Sequence, residues 1–361
     1  YIGLNKVSHL APLGAPLDDG TCLQTASCGS DYWAGLIPHQ LFSMFQLTFA
    51  IITPALIVGA LIDRMKFSAL LIFIILWATF VYDPVAHWVW GGGWLGGLDL
   101  NPDLSPSFAL DFAGGTVVHI TSGFSGLAAA LVLGRRLGYG KVPMEPHNVP
   151  MVVLGASMLW FGWFGFNPGS ELAADGVAVS AWVVTNTATA MASITWLLMS
   201  WAHTGKPSIV GAATGAVAGL VAITPASGWV GPMASIIIGI TAGVLCYAGV
   251  AFKNTRKWDD ALDAWAVHGI GGFAGAILTG TLASPHIFGG IGLWTGTPEG
   301  VEQQAINVIG AISTTAYAFV VTIVILKIMD AIWPGGIRVT PKEEEVGLDL
   351  AQHGERAYVN E

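Results

Sequence analysis

Charged residues are scarce in this chain. Only 10% of its 361 residues are Asp, Glu, Lys or Arg, whereas a soluble domain carries roughly 25%. Hydrophobic residues make up 53% of the sequence, and the mean hydropathy is +0.64. This balance excludes an ordinary soluble protein, because so much apolar surface needs a solvent other than water. The sequence therefore predicts a protein that lies in a lipid bilayer.

Several functional motifs are also missing. No basic patch with interleaved aromatic side chains occurs, so nothing indicates nucleic-acid binding. No H-E-x-x-H motif occurs, and neither His119 nor His268 has a neighbouring Cys or carboxylate that would complete a tetrahedral metal site. We therefore expect no metal centre and no cofactor, and an intramembrane metalloenzyme is disfavoured.

Cysteine is rare, with three in the chain. Cys22 and Cys28 lie in residues 1–36, which are predicted to form an extracytoplasmic N-terminal loop. An oxidising compartment would permit a disulfide between them, and two free thiols are equally consistent with the sequence. Residue 1 is Tyr and no signal peptide precedes the loop. The chain is therefore expected to be the remainder of a longer protein.

Nine apolar segments are long enough to cross a bilayer, which takes roughly 20 mainly apolar residues. They cover approximately residues 40–61, 67–90, 111–134, 150–168, 178–201, 208–224, 231–252, 261–283 and 306–330. The frequent glycines, 47 in all, suit such helices because small residues let neighbours approach closely. The sequence thus predicts an all-α polytopic membrane protein, with a transmembrane domain over residues 37–330.

The basic residues indicate which way the spans run, because cytoplasmic loops are enriched in Lys and Arg. If the first span starts outside, thirteen of the fourteen basic residues fall inside and only Lys6 falls outside. The inner residues are Arg64, Lys66, Arg135, Arg136, Lys141, Lys206, Lys253, Arg256, Lys257, Lys327, Arg338, Lys342 and Arg356. We therefore predict an outside N-terminus and a cytoplasmic tail over residues 331–361.

Two histidines lie deep in apolar segments, each within the same local pattern. The pattern V-H-x-x-x-G-F-x-G runs from Val118 to Gly126 and again from Val267 to Gly275. A single membrane histidine would by default only bridge helices. A matched pair in two halves of one chain instead suggests a proton or substrate path, because ionisable residues are costly in hydrocarbon and normally face a bundle interior. The sequence predicts a transporter rather than an enzyme.

Asp111 and Trp90 each allow two interpretations. A carboxylate at a helix start can cap backbone N–H groups. Asp111 also precedes His119 by eight residues, which places it about 12 Å further out near the same face, where an anion suits a cation that must lose a proton. Trp90 is followed by Gly91–Gly93, which would leave one indole face open to a cation. Most of the 15 Trp are instead expected to anchor or pack.

Four stretches of the sequence resemble the ammonium transporter family (Amt/Mep/Rh). They are D-F-A-G-G-T-V-V-H at 111–119, G-W-F-G-F-N-x-G-S at 162–170, V-H-G at 267–269, and the tail with G-L-D at 347–349 and H-G-E-x-A-Y at 353–358. The resemblance runs from about residue 40 to the C-terminus. It implies an eleven-span helical bundle with two inverted five-span repeats, assembled as a homotrimer with one pore per subunit. Nine spans here imply that the first two are missing from this chain.

The resemblance implies an outer recruitment site. Its aromatic faces and hydroxyl, which replace part of the hydration of ammonium, are expected to come from Phe45, Phe49, Trp90 and Ser170. Asp111 corresponds to an aspartate below that site, which is expected to give electrostatic support without touching the ion. Ammonium is the implied substrate and methylammonium the expected alternative.

Further positions correspond to the family's pore. Phe49 and Phe166 resemble a stacked pair of rings that closes the outer mouth, and His119 and His268 resemble the twin histidines of the pore. Trp163 and Thr224 match other pore-region positions. The implied function is deprotonation of recruited ammonium and conduction of ammonia through a hydrophobic pore, with or without separate transfer of the proton.

Alternatives remain within the family. A Rh-like channel would conduct neutral ammonia or carbon dioxide, but that branch usually lacks the pair of Trp90 and Ser170. An ammonium sensor would carry a signalling domain, for which the roughly 30 residues after the last span are too few, so sensing would need a partner. The tail is by composition a candidate for disorder. The resemblance instead implies that it packs across the cytosolic face, couples subunits and, in prokaryotes, lets a PII-type signal protein plug the pore.

Overall fold

The computed structural model describes residues 37, 39–101, 103–104 and 108–357 of the chain. Among these residues the only β pairing is an isolated antiparallel bridge between Met65 and Arg338, and most of the others are helical. The predicted N-terminal loop 1–36, with Cys22 and Cys28, lies outside the described residues. The loop and its disulfide therefore stay predictions.

Twelve α-helices form the described part of the chain. They are α1 His39–Leu61, α2 Phe67–Trp77, α3 Asp83–Trp90, α4 Thr121–Leu133, α5 Val149–Phe166, α6 Gly176–Thr204, α7 Ile209–Ile223, α8 Pro232–Arg256, α9 Ile270–Leu282, α10 Pro298–Ile332, α11 Pro341–Val346 and α12 Leu348–His353. Three π-helical segments lie at Ala78–Tyr82, Gly115–Ile120 and Trp265–Gly269, and three 3₁₀ turns at Pro168–Glu171, Thr224–Ala226 and Leu293–Thr295.

Polar side chains fix where several of the long helices begin. Asn148, Asp175, Ser208 and Thr297 precede α5, α6, α7 and α10, and each accepts a hydrogen bond from a backbone N–H in the first turn of its helix. These bonds satisfy donors that have no partner inside the helix. A capping residue next to each apolar segment therefore marks where the helix begins.

Eight helices among the described residues are long and apolar enough to cross a membrane. They are Gln40–Leu61, Phe67–Trp90, Gly115–Leu133, Val149–Glu171, Gly176–Thr204, Ile209–Ala226, Pro232–Arg256 and Pro298–Ile332. The ninth predicted segment, 261–283, also folds as a helix from Trp265 to Leu282 but is not among the eight. Its five glycines and His268 dilute its apolar residues. The predicted all-α membrane bundle is confirmed.

Apolar side chains fill the interior and also cover the outside. One core lies between α1, α2 and α10, with Phe49, Trp77 and Leu326 fully buried, and a second lies between α5, α6, α7 and α8. Many large apolar side chains face outwards, such as Phe161 at 78% exposed and Met233 at 75%. Apolar patches of that extent suit lipid rather than water.

Glycines let the two histidine segments approach each other. A Cβ on Gly123 would lie 2.0 Å from the backbone nitrogen of Gly269, and a Cβ on Gly272 would lie 2.8 Å from the Cβ of His119. Both glycines stand four residues after the histidine in their copy of the repeat. In each copy of the repeat, the missing glycine side chain therefore leaves room for atoms of the other copy.

One end of the bundle carries a network of ion pairs, and we call it the basic end. The Asp259 carboxylate accepts hydrogen bonds from the Arg136 guanidinium at 2.8 to 3.1 Å and pairs with the buried Arg64 at 3.3 Å. Burial opposes ionisation of Asp259, but the hydrogen bonds from Arg136 and the charge of Arg64 outweigh it and lower the pKa of its carboxyl. The network joins the loops that follow α1, α4 and α8.

The tail is bound to this basic end. Arg338 donates to the backbone oxygens of Leu133 at 2.6 Å and Arg135 at 2.7 Å, and it pairs with Glu344 of α11 at 2.8 Å. Lys66 donates to the Gly336 oxygen at 2.6 Å. Further on, the ring of His353 lies 4.7 Å from that of Phe67. Up to Ala357 the tail is therefore ordered by contacts with the bundle, and the disordered alternative does not hold for these residues.

Candidate functional site

Four aromatic rings cluster at the other end of the bundle, which we call the aromatic end. Phe49 lies at their centre and is fully buried. Its ring centroid is 4.9 Å from Phe45, 5.7 Å from Trp90 and 4.7 Å from Phe166. The rings come from α1, α3 and α5, so three separate helices bring these predicted residues together.

Ser170 lies on the 3₁₀ turn that follows α5. Its hydroxyl donates to the Phe166 oxygen at 2.8 Å, which leaves the lone pairs of the hydroxyl oxygen free to accept. A Cβ on the preceding Gly169 would lie 3.3 Å from the Phe45 ring. The turn therefore packs against the aromatic cluster, and the glycine allows that contact.

The carboxylate of Asp111 is buried and fully engaged. Its Oδ1 accepts from the N–H groups of Gly114 at 2.9 Å and Gly115 at 2.6 Å, and its Oδ2 accepts from Thr116 at 2.9 Å and Val117 at 3.0 Å. These four groups open the π-helical segment Gly115–Ile120, where backbone donors have no partner within the helix. Asp111 therefore caps the segment that carries His119.

Trp90 is held by Asp111 rather than by the glycines that follow it. Its indole Nε1 donates to the Asp111 backbone oxygen at 2.8 Å. Gly91 and Gly93 instead turn the chain back against His87. The glycine beside the indole is Gly114, whose φ is +112° and on which a Cβ would lie 3.2 Å from Trp90 Cη2. That Gly91–Gly93 leave one indole face open stays a prediction.

The two repeat histidines meet below the aromatic cluster. Their Nδ1 atoms are 3.2 Å apart, His119 is fully buried and His268 is 9% exposed. The His119 ring stacks near Phe166 at 5.9 Å and near Trp163 at 5.4 Å. A continuous file of rings thus leads from the aromatic end to the histidine pair.

The contact between the Nδ1 atoms restricts the protonation of the pair. A neutral imidazole has one donor and one acceptor nitrogen, so one ring must carry its proton on Nδ1 and the other on Nε2. One Nε2 is then an acceptor and the other a donor. The Nε2 of His119 is buried without a hydrogen-bond partner among the described residues. Such a pair presents both hydrogen-bonding functions to a small molecule.

Trp163 and Thr224 are joined beside the histidines. The Trp163 Nε1 donates to the Thr224 hydroxyl at 2.9 Å, and that hydroxyl donates to the Leu220 oxygen at 2.7 Å. Each polar atom is thereby satisfied in a buried setting. The pair fixes the Trp163 ring against His119 and offers no free group of its own.

Asp260 is a second capping carboxylate that the sequence analysis missed. It precedes His268 by eight residues, as Asp111 precedes His119, and its Oδ2 accepts from the N–H of Trp265 at 2.7 Å at the start of the other π-helical segment. Burial raises the pKa of Asp260 to about 6, against the opposing charge of Lys253. The repeated eight-residue spacing was the signal that would have found it.

No group of three or more His, Cys, Asp or Glu side chains able to hold a metal ion occurs within the part of the chain that the structure describes. What the arrangement offers is a set of aromatic faces, a hydroxyl acceptor, and two hydrogen-bonded imidazoles in apolar surroundings. These groups suit a small cation that can give up a proton.

Comparison with known proteins identifies close relatives. A sequence profile described as Ammonium Transporter Family matches residues 25–358. The chain is 49% identical over 318 residues to "Ammonium transporter Amt1" of Archaeoglobus fulgidus, covering 88% of this chain and 78% of that protein. It resembles the crystal structure of Candida albicans Mep2 with a TM-score of 0.77 at 40% identity, over 86% of this chain and 68% of that one. A solved "Sensor Amt Protein" matches with a TM-score of 0.79 at 31% identity, over 91% and 80%.

Proposed function

Since this multi-pass membrane protein belongs to the ammonium transporter family, we propose that it recruits ammonium at the aromatic end, deprotonates it and conducts ammonia past the paired histidines. The observation that carries the mechanism is the file of rings from Phe45 through Phe49 and Phe166 to His119, which ends at the Nδ1 contact with His268. By the distribution of Lys and Arg, the aromatic end faces outside and the basic end faces the cytoplasm.

Recruitment rests on faces that replace water around the ion. An aromatic face attracts a cation by roughly 0.5 to 2 kcal/mol, depending on how far the ion is desolvated. Phe45, Phe49 and Trp90 supply such faces, and the Ser170 hydroxyl oxygen can accept from an ammonium N–H. Asp111 lies behind them with both carboxylate oxygens bonded to backbone donors, so it contributes field and position without touching the ion.

Deprotonation follows from the cost of taking a charge into the pore. Moving a bare cation into an apolar interior carries an idealised penalty of order 20 kcal/mol. Phe49 and Phe166 close the path to a hydrated ion, whereas neutral ammonia can pass the gate at far lower cost. Potassium is rejected because it has no proton to lose.

The histidine pair then serves the neutral molecule. With one Nε2 as donor and the other as acceptor, the pair can donate a hydrogen bond to the nitrogen of ammonia and accept one from its N–H groups. Sharing the Nδ1 contact fixes the two tautomers, and the rings titrate as a coupled unit that can relay a proton. Each ammonium ion then gives one ammonia and one proton, and the proton crosses separately by way of the histidine pair, so that each transport cycle moves one charge and produces a current.

The recruitment step is tested by replacing Trp90 with Leu and Ser170 with Ala, in the protein reconstituted into liposomes. We expect ammonium-evoked current in the wild type and an apparent KM raised roughly 3- to 30-fold in each variant, the range of one lost cation–π or hydrogen-bond contact. Phe161→Leu, which changes a ring exposed on the outside of α5, is the matched control. An unchanged KM in both variants contradicts the proposed site. Internal alkalinisation without any current would favour a Rh-like gas channel.

We further propose that the tail regulates transport and that the protein works as a homotrimer. The contacts of Arg338, Glu344 and Lys66 at the basic end give the tail a defined surface next to the loops that follow the pore helices. A PII-type signal protein is the expected partner at this cytoplasmic face. The likeness to a protein named Sensor Amt Protein supports a role in ammonium sensing through such a partner.

A further inference from the structure

Asn307 of α10 has a buried side-chain amide that forms several hydrogen bonds to backbone groups outside its own helix. It is 3% exposed. Its Oδ1 accepts from the Leu110 N–H at 3.2 Å, and its Nδ2 donates to the oxygens of Leu110 at 3.1 Å and Ala276 at 3.0 Å. The side chain therefore pairs with both backbone groups of Leu110, as a neighbouring strand would, and at the same time holds α9.

Gln303, one turn earlier on α10, completes this attachment. It is 6% exposed, and its Nε2 donates to the Phe108 oxygen at 2.8 Å and to Asn307 Oδ1 at 2.9 Å. Residues 108–110 are not helical, so their buried backbone groups need partners from elsewhere. Two amides of α10 supply partners for the Phe108 oxygen and for both backbone groups of Leu110, while the Ala109 N–H donates to the Leu95 oxygen at 2.9 Å.

The attached segment leads directly into the recruitment site. Asp111 follows Leu110 and accepts the indole N–H of Trp90 on its backbone oxygen, while its carboxylate caps the His119 segment. Phe112 is fixed in turn, because its N–H donates to the Pro225 oxygen at 3.0 Å. Both chain neighbours of Asp111 are thus held by hydrogen bonds. Asn307 holds Leu110, and Pro225 holds Phe112.

The opposite contact of Asn307 reaches the other histidine helix. Ala276 lies on α9, eight residues after His268. A Cβ on Gly280 of α9 would lie 3.0 Å from the Asn307 Cβ and 3.2 Å from its Cγ. The glycine is therefore what allows the amide to reach α9, and one side chain binds the entrance of one repeat to the pore helix of the other.

We infer that Asn307 is a positioning residue for ammonium recruitment, holding Asp111 and through it Trp90 in place; this inference rests on the proposed function. It acts through the backbone of Leu110 and does not touch the ion. Its loss should therefore weaken recruitment and selectivity more than it lowers the maximal rate.

The test compares Asn307→Ala, Asn307→Asp and Thr322→Val in liposomes. Asp keeps the volume of Asn and the acceptor for Leu110 but removes both donated bonds. Thr322 lies on the same α10, fully buried, in a hydrogen-bonded cluster with Trp77 and Ser125, so its variant controls for the loss of buried hydrogen bonds on this helix. For both Asn307 variants we expect the apparent KM for ammonium to rise about tenfold, as for one net hydrogen bond, with weaker discrimination against potassium. Thr322→Val should keep the wild-type KM.

Hydrogen–deuterium exchange provides a readout that does not depend on transport. In Asn307→Ala, peptides that cover residues 108–119 should exchange faster than in the wild type and in Thr322→Val. Unchanged exchange there, or a lower maximal current with wild-type KM and potassium discrimination, would overturn the inference. A wild type without ammonium current would contradict the proposed function, while the exchange experiment would still decide whether Asn307 positions Asp111.

Discussion

Among single residues, Asp111 and Asp260 play the same structural part in the two histidine segments. Asp111 and Asp260 each stand eight residues before a histidine and each cap a π-helical segment. A carboxylate is suited to this task because it can accept several hydrogen bonds at once, and the first N–H groups of a helix have no partner within it. The histidines are therefore positioned by local hydrogen bonds and not by packing alone.

The capping role predicts the cost of losing Asp111. Asp111→Ala leaves four buried N–H groups without their acceptor and should lower the free energy of unfolding by about 1 to 3 kcal/mol. Asp111→Asn keeps one acceptor oxygen and should lose less. Thermal unfolding in detergent measures this, with Asp99→Ala as control because Asp99 is exposed and, among the residues that the structure describes, accepts one local hydrogen bond from the Asn101 N–H. Equal stability of Asp111→Ala and Asp99→Ala would contradict the capping account.

The sequence predicted contacts between side chains that belong to recognisable motifs. It did not predict the contacts of residues outside those motifs. The sequence resemblance pointed to His119, His268 and the aromatic set, and the structure brings them together. Asn307 stands in no such motif, because a single Asn in an apolar helix gives no sign of the distant backbone it will bind. Gly114 was likewise missed as the neighbour of Trp90, since that contact joins two segments.

At the scale of elements, the two histidine segments interlock through their glycines. Gly123 and Gly272 each face the backbone or Cβ of the other segment at 2.0 to 2.8 Å from an added Cβ. The two segments are the third and eighth of the nine apolar stretches, so with one crossing each they run in opposite directions. Their reciprocal fit is what an inverted repeat produces at its axis.

This fit predicts opposite effects for similar glycine substitutions. Gly123→Ala must push the segments apart, because its Cβ would overlap the Gly269 backbone; we expect loss of folding or of ammonium current. Gly155→Ala on α5 has nothing within 4 Å of its Cβ and should be neutral or stabilising by up to about 1 kcal/mol. Unfolding temperature and current are measured for both. Tolerance of Gly123→Ala with full activity would contradict the close approach.

Hydropathy predicted the spans better than their internal geometry. Apolar length is a strong signal in a membrane chain because the bilayer demands it, and eight of nine segments satisfy it in the structure. The π-helical turns at His119 and His268 could not be predicted, since hydropathy does not distinguish an α-helical from a π-helical turn. Both turns lie beside a capping carboxylate and a close glycine contact.

At the scale of the whole molecule, the tail ties the loops of the basic end together. Arg338 bonds the end of α4, Glu344 bonds Leu137 at 2.6 Å, and Lys66 holds the 336 region. Neighbouring ion pairs link this surface to Asp259, beside the capping Asp260. A series of adjacent contacts therefore connects the tail to the residues that precede the His268 segment.

Removal of the tail tests that connection. Truncation after Pro334 leaves every span intact but removes the bonds of Arg338 and Glu344, and we expect ammonium uptake to fall. Truncation after Ala357, which keeps the described tail contacts, is the control. Uptake that is unchanged after Pro334 truncation, with similar amounts of protein in the membrane, would contradict a regulatory tail.

We propose that ammonium is deprotonated and passes as ammonia along the paired histidines. The measurement that tests it most directly is ammonium-evoked current in liposomes on a solid support, comparing the wild type with the double variant His119→Ala and His268→Ala. We expect a wild-type current that potassium does not evoke, and a double variant that loses the current or conducts potassium as well. A double variant with wild-type current and full discrimination against potassium would contradict it.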